Sequence, residues 1–208
     1  MRQDKRFHPG EAVSSAHFAK LLSDMVDWLV TVDPHLHRHH TLDEIFRIPT
    51  FVVHAAAQLA FWIRTNVTEP VLIGPDSESE QWVASVAAAS EAPYVLLAKV
   101  RHGDRDVEVS APDLAQYENR APVLVDDIIS TGRTMAETIN WLSKGRHKPA
   151  ICVGVHAIFA EGAYAALHAA GARKIVTTNA IPHESNAVDV IPAIADAVRK
   201  ILRDGAAS

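Results

Sequence analysis

Along the chain, short apolar runs alternate with longer stretches in which apolar and polar positions mix at helical spacing. The runs WLVTV (28–32), TFVVHA (50–55), PVLIG (70–74), YVLLA (94–98), PVLV (122–125), ICVGVHAIF (151–159) and KIVTT (174–178) predict strands. Between most of them the pattern predicts helices, at roughly 14–27, 56–66, 77–90, 133–145, 161–171 and 190–203. Ser14 or Ser15 is a candidate cap for the first helix, and Gly171 stands where the fifth should stop. Strand–helix alternation of this kind predicts an α/β fold with mainly parallel sheets covered on both faces. Ligands in such folds bind outside the carboxyl ends of the strands, so the residues just past each apolar run carry the functional argument. Two stretches, 33–49 and 99–121, break the rhythm and do not read as simple helix, and irregular segments of that length in compact domains are often functional.

Composition narrows the classes. With 208 residues, 48% of them hydrophobic, the chain can bury a core. A formal charge of −5 gives no reason to expect a nucleic-acid or membrane partner. Cys152 is the one cysteine, so no intrachain disulfide can form, and the N-terminal MRQDKRFHPGE is charged from its second residue, unlike a signal peptide. Apolar stretches are strand-sized and no transmembrane helix is expected. The expectation is a soluble cytoplasmic protein.

The richest chemistry lies in VLVDDIISTGRTM (123–135). Val123, Leu124 and Val125 bury a strand, so Asp126 and Asp127 emerge at its carboxyl end. Ser130, Thr131, Gly132, Arg133 and Thr134 then open a helix. Free backbone N–H groups and the positive end of the helix dipole gather there, which suits a phosphate. Gly132 lets the backbone approach closely, the hydroxyls add donors, and the two carboxylates can accept hydrogen bonds from vicinal sugar hydroxyls. Ribose plus phosphate is the ligand these residue types suggest. Taken singly, Asp127 or Ser130 could instead cap the helix. No Gly-Lys-Ser/Thr is present, so this is not the phosphate loop of common nucleotide hydrolases.

Other candidates carry alternatives. Lys99 and Arg101 are cations in KVRHGDRDVEV, able to serve an anion or to form a solvated basic turn, whereas Arg105 pairs more naturally with Asp104 or Asp106. His35 and Asp76 each come after a strand end. HLHRHH (35–40) places His35, His37 and His39 on one face if extended, a pattern open to zinc or to exposed loop histidines. Thr177, Thr178 and Asn179 could meet a ligand or turn the chain. His54 and His156 lie in or beside apolar runs and read as buried, hydrogen-bonded histidines; Trp28, Trp62, Trp82 and Trp141 read as core.

VLVDDIISTGRT resembles the ribose-phosphate motif of the type I phosphoribosyltransferase superfamily, and within it that of ribose-phosphate pyrophosphokinases. RQDKRFHPGEAVS, VTVDPH (30–35), LIGPDSESEQW (72–82) and TTNAIPHESNAVDV (177–190) resemble further segments of the same family. The resemblance implies two phosphoribosyltransferase-like domains with mainly parallel sheets, the first one incomplete: residues 1–54 as the remainder of an N-terminal domain and 55–208 as the C-terminal one, its last helix packing on the first. It implies transfer of diphosphate from ATP to the 1-hydroxyl of ribose 5-phosphate. Lys99, Arg101 and His35 would then be catalytic, Arg2, Gln3 and Asp4 would contact ATP, and His35 and Asp76 would bind or flank a Mg2+ ion. Asp126, Asp127, Ser130, Thr131, Gly132, Arg133 and Thr134 would hold ribose 5-phosphate. Family members are homo-oligomers that carry about half a domain ahead of the segment resembling MRQDKRF, with residues that hold adenine. Two alternatives stand beside this reading: a non-catalytic ribose-phosphate-binding or assembly subunit, and a phosphoribosyltransferase acting on a nucleobase.

Overall fold

A computed structural model describes residues 5, 6, 8–36, 39–75, 79–102, 106–110, 114–145 and 147–205, with backbone only for 98–102, 106–110 and 205. Two compact units emerge, one from residues 1–54 with 191–208, the other from 55–190.

The larger unit is built on a six-stranded sheet. Its strands are β3 (Pro70–Gly74), β4 (Tyr94–Leu96), β7 (Ala121–Ile129), β8 (Ile151–Ala157), β9 (Lys174–Thr178) and β10 (Asn186–Val188), ordered β10-β9-β8-β7-β3-β4. Every neighbouring pair is parallel. Strands buried on both faces read as continuous apolar runs, and Val71, Leu72, Ile73, Val123, Leu124 and Val125 are nearly inaccessible. Helices α2 (Ala56–Asn66), α3 (Glu80–Ser90), α4 (Arg133–Lys144) and α5 (Ala163–Ala169) connect them. In α4, Met135, Thr138, Ile139 and Leu142 recur at helical spacing and are all buried, giving the helix one face against the sheet. Each such aliphatic side chain stabilises the fold by about 1.5–3 kcal/mol. Helix α5 ends at Gly171, with φ 103°, where the N–H groups of Gly171 and Ala172 return to the carbonyls of His168 and Leu167.

The smaller unit pairs β1 (Leu29–Val32) with β2 (Thr50–Val53) in parallel, beside α1 (Ser14–Ser23). Ala19, Leu42 and Phe46 form its buried cluster. The family resemblance places 191–208 in the C-terminal domain, with the last helix packing on the first; helix α6 (Ile191–Gly205) contacts β1 and β2 and clusters with this unit. Neither serine caps α1: Val13 occupies that position, with no side-chain bond to the helix.

The irregular stretch 99–121 contains structure that periodicity did not predict. Strands β5 (Ala98–His102) and β6 (Asp106–Ser110) pair antiparallel, with Lys99 opposite Val109 and Arg101 opposite Val107. Charged residues at four of the ten positions break up any continuous apolar run in this ribbon. Among the described residues, no helix is long and apolar enough to cross a membrane.

Candidate functional site

Strand β3 has β4 on one side and β7 on the other, so the chain reverses its winding between β3 and β7. In open α/β sheets this switch point is where a crevice opens at the carboxyl ends of the strands. A cleft does lie there, lined by Ile73, Pro75, Leu97, Leu124, Asp126 and Thr134 among others. Its floor is apolar; Asp126 and Thr134 bring polar chemistry to it.

Strand β7 runs four residues beyond the apolar run that predicted it. Its pairing with β3 reaches Leu124, whereas on the other side Asp126 is opposite Gly154 and Ile128 opposite His156 of β8. The two acids are therefore not at the end of the strand but on a stretch held from one side only. Both are half-buried, and the Asp127 N–H donates to Asp126 Oδ1 at 2.9 Å. Gly154 is required opposite: a Cβ there would come within 2.7 Å of Ile129 Cγ1.

Residues 130–134 turn from β7 into α4. Gly132 precedes the helix with φ 65° and ψ 5°, a left-handed conformation that favours glycine, and no side chain caps the helix. Its carbonyl accepts the Ala136 N–H at 2.8 Å. The first-turn amides of a helix have no partner within it, and in the sequence they lie among the hydroxyl residues Ser130, Thr131 and Thr134. Arg133 occupies the first helical position, where the dipole disfavours a cation unless an anion joins it.

A buttress behind this turn is not evident from the sequence pattern. The Phe159 N–H donates to the Ile129 carbonyl at 2.9 Å and the Ala160 N–H to that of Ser130 at 3.0 Å. Phe159 adopts φ 31° and lies against the rings of Tyr164 and His183, at 5.3 and 4.4 Å between centroids. Desolvation, and then the charge of Glu184, raise the pKa of the Tyr164 hydroxyl. The sequence pattern runs Ile158 and Phe159 into the strand, whereas β8 ends at Ala157 and the pair begins the buttress.

The other candidates divide. Lys99 and Arg101 lie on β5, which begins one residue after the cleft residue Leu97. His35 is in the smaller unit, three residues past β1. Arg2, Gln3, Asp4, Asp76, His37, Asp104 and Arg105 lie outside the described residues. Thr177 and Thr178 are buried and bond to Ser185 Oγ and the Val155 carbonyl, both at 2.7 Å. Asn179 joins Asp189 and the Val190 N–H, so these residues fasten the chain. His39 Nδ1 lies 3.1 Å from Glu44 Oε2, and the His40 N–H donates to Glu44 Oε1. The His40 bond and, after it, the His39 bond hold the Glu44 carboxyl below its ordinary range. Among the described residues, no three His, Cys, Asp or Glu side chains converge as a metal cage would require. His54, expected to be buried, has a side chain 74% exposed, because it lies beyond the last rung of β2.

A doubly covered parallel sheet, with paired acids before an uncapped glycine turn at its switch point, defines a phosphoribosyltransferase-type α/β protein. The family described as "Phosphoribosyl transferase domain" matches residues 41–200. The ribose-phosphate pyrophosphokinase of Methanopyrus kandleri is 35% identical over 202 residues, covering 96% of this chain and 68% of that protein. That of Halobacterium salinarum is 35% identical over 198 residues, with 95% and 68% covered. The crystal structure of phosphoribosylpyrophosphate synthetase from Mycobacterium smegmatis superposes with a TM-score of 0.79 at 25% identity, over 98% of this chain and 68% of that one. The chain belongs to the ribose-phosphate pyrophosphokinase family.

Proposed function

We propose that this protein transfers the terminal diphosphate of ATP to the 1-hydroxyl of ribose 5-phosphate, giving phosphoribosyl pyrophosphate and AMP. The observation that carries the reading is the join of β7 to α4. Asp126 and Asp127 can accept hydrogen bonds from the ribose hydroxyls. The phosphate of the sugar fits the turn 130–134, where amide N–H groups, the hydroxyls of Ser130, Thr131 and Thr134, and the Arg133 guanidinium supply donors. Bound there, the phosphate would turn Arg133 from a liability at the helix N-terminus into a partner.

Transfer of a diphosphoryl group needs alignment and positive charge more than covalent help. Lys99 and Arg101 supply cations on a strand that starts beside the cleft, and water exclusion by the apolar floor strengthens their effect. His35 orients the ATP side, with Arg2 and Gln3 as triphosphate contacts and Asp4 as a further ATP-binding residue. Mg2+ suits this proposed set, since it keeps several waters and takes one or two carboxylates plus phosphate oxygens. Asp76 and His35 are the residues to hold or flank it, and when bound it neutralises charge on the phosphates.

The test is 31P NMR of the protein with Mg2+, ATP and ribose 5-phosphate. AMP and a new diphosphate ester are expected in equal amounts. Ribose 5-phosphate binding without AMP would replace the reading with a binding subunit; pyrophosphate release dependent on a nucleobase would replace it with a base phosphoribosyltransferase.

A further inference from the structure

At the carboxyl end of the β1–β2 pair, an exposed histidine is tied to a buried carboxylate. His54 Nδ1 lies 2.9 Å from Asp33 Oδ1, with the aspartate side chain 6% exposed and the histidine 74%. The strands are paired to Val32 opposite Val53, so Asp33 and His54 are the next residues on each. Asp33 has a φ of 32°, in a region that a residue with a Cβ rarely adopts. Its N–H donates to the Val53 carbonyl at 3.0 Å. Two adjacent residues at the end of β2 thus hold Asp33 by its backbone and by its side chain.

The conformation of Asp33 matters for the residues beyond it. Pro34 fixes its own φ, and His35 comes next. A left-handed residue joined to a proline makes a stiff corner, and the corner decides where His35 sits. A buried carboxylate needs donors, and His54 provides one from a ring that is mostly in solvent. Burial of its own ring cannot account for its place; the bond to Asp33 can.

We infer that His54 is a positioning residue for the reaction: by donating its Nδ1–H to Asp33 it holds the corner that sets His35 at the carboxyl end of β1. This rests on the role proposed above for His35, whose failure must be told apart from failure of the inference itself.

The experiment measures AMP formation by the full chain for His54→Ala, His54→Asn, His35→Ala and the double variant His35→Ala/His54→Ala. Asparagine places an amide N–H near the position of Nδ1 and nothing at Nε2. Misplacing a catalytic group by about 1 Å costs up to roughly a hundredfold, so kcat of His54→Ala should fall by about ten- to a hundredfold. KM for both substrates and Tm should stay near wild type, and His54→Asn should recover most of the loss. A residue that acts through another has no effect once that other is gone, so the double variant should be no slower than His35→Ala.

Wild-type turnover in His54→Ala overturns the inference. So does asparagine performing no better than alanine, which would give Nε2 a direct contact, or a double variant slower than His35→Ala. Full turnover in His35→Ala would overturn the inference together with the role on which it rests. An impaired His35→Ala beside an unaffected His54→Ala would overturn the inference alone.

Discussion

Asp126 and Asp127 extend a strand whose preceding residues are almost fully buried. In the role proposed above, the two carboxylates accept hydrogen bonds from the ribose hydroxyls. Replacing both with asparagine keeps the shape and removes the charge, so ribose 5-phosphate should bind about tenfold or more weakly, in line with roughly 1.5–3 kcal/mol for a hydrogen bond to a charged group. Isothermal titration with ribose 5-phosphate checks it; an unchanged Kd would make the acids structural. Cys152 shows the opposite use of burial. Wholly inside β8, its thiol is pushed up from 9.0 to about 12 by desolvation. Because the folded value is the higher one, the stability it contributes is complete below pH 9 and is lost as pH climbs from 9 towards 12. The loss approaches about 1.4 kcal/mol for each pH unit in that window. Urea midpoints of wild type and Cys152→Ala should therefore converge as pH rises above 9. Parallel curves would mean that the thiol meets water in the native state.

At the scale of elements, Gly74 links the packing of the sheet to the cleft. It ends β3, its carbonyl accepts the Leu97 N–H at 3.0 Å, and an added Cβ would stand 2.7 Å from Val83 Cγ2 and 2.8 Å from Leu96 Cδ2. Gly74→Ala should lower stability by about 1–3 kcal/mol, as overpacking does, and displace Pro75 and Leu97 at the cleft rim. A lower urea midpoint together with weaker ribose 5-phosphate binding is the expected result; a drop in stability with unaltered binding would separate the rim from the site. Elements like β3 were legible because a strand buried on both faces reads as an apolar run: PVLIG coincides with β3, and KIVTT, with Ile175 and Val176 at its centre, with β9. What escaped lies outside the continuous apolar runs. The last four residues of β7 are kept extended by β8 after the apolar run stops, and β5–β6 is a ribbon of mostly polar residues. His54 was misread for a related reason: apolar neighbours suggested burial, but the strand that buries them ends one residue earlier. The turn 130–134 was legible as the start of a helix, because Gly132 follows the strand and stands just before α4; the ribose-phosphate role given to its paired acids and hydroxyls is the proposal made above.

The reading proposed above assigns the ribose-phosphate residues to one unit and His35 to the other, and that assignment can be tested. The core of the larger unit, including Val71, Ile73, Leu124, Cys152, Leu167 and Ile175, lies entirely within 55–190. Both ends of that segment are anchored in it: Ala55 is buried and its carbonyl accepts the Leu59 N–H at 2.9 Å, and Val190 is buried with its N–H on Asn179 Oδ1. The smaller unit has less to stand on, because a two-stranded sheet needs another element against it and α6 supplies one from the far end of the chain. The segment Ala55–Val190 expressed alone should therefore unfold cooperatively and bind ribose 5-phosphate within about threefold of the full chain, a difference near 0.6 kcal/mol. It should form no AMP, since His35 and the RQD segment are absent from it. Circular dichroism in urea and a binding titration check the first two expectations. AMP formed by the fragment would mean that the ATP side, too, is built from 55–190 and that the smaller unit serves some other end.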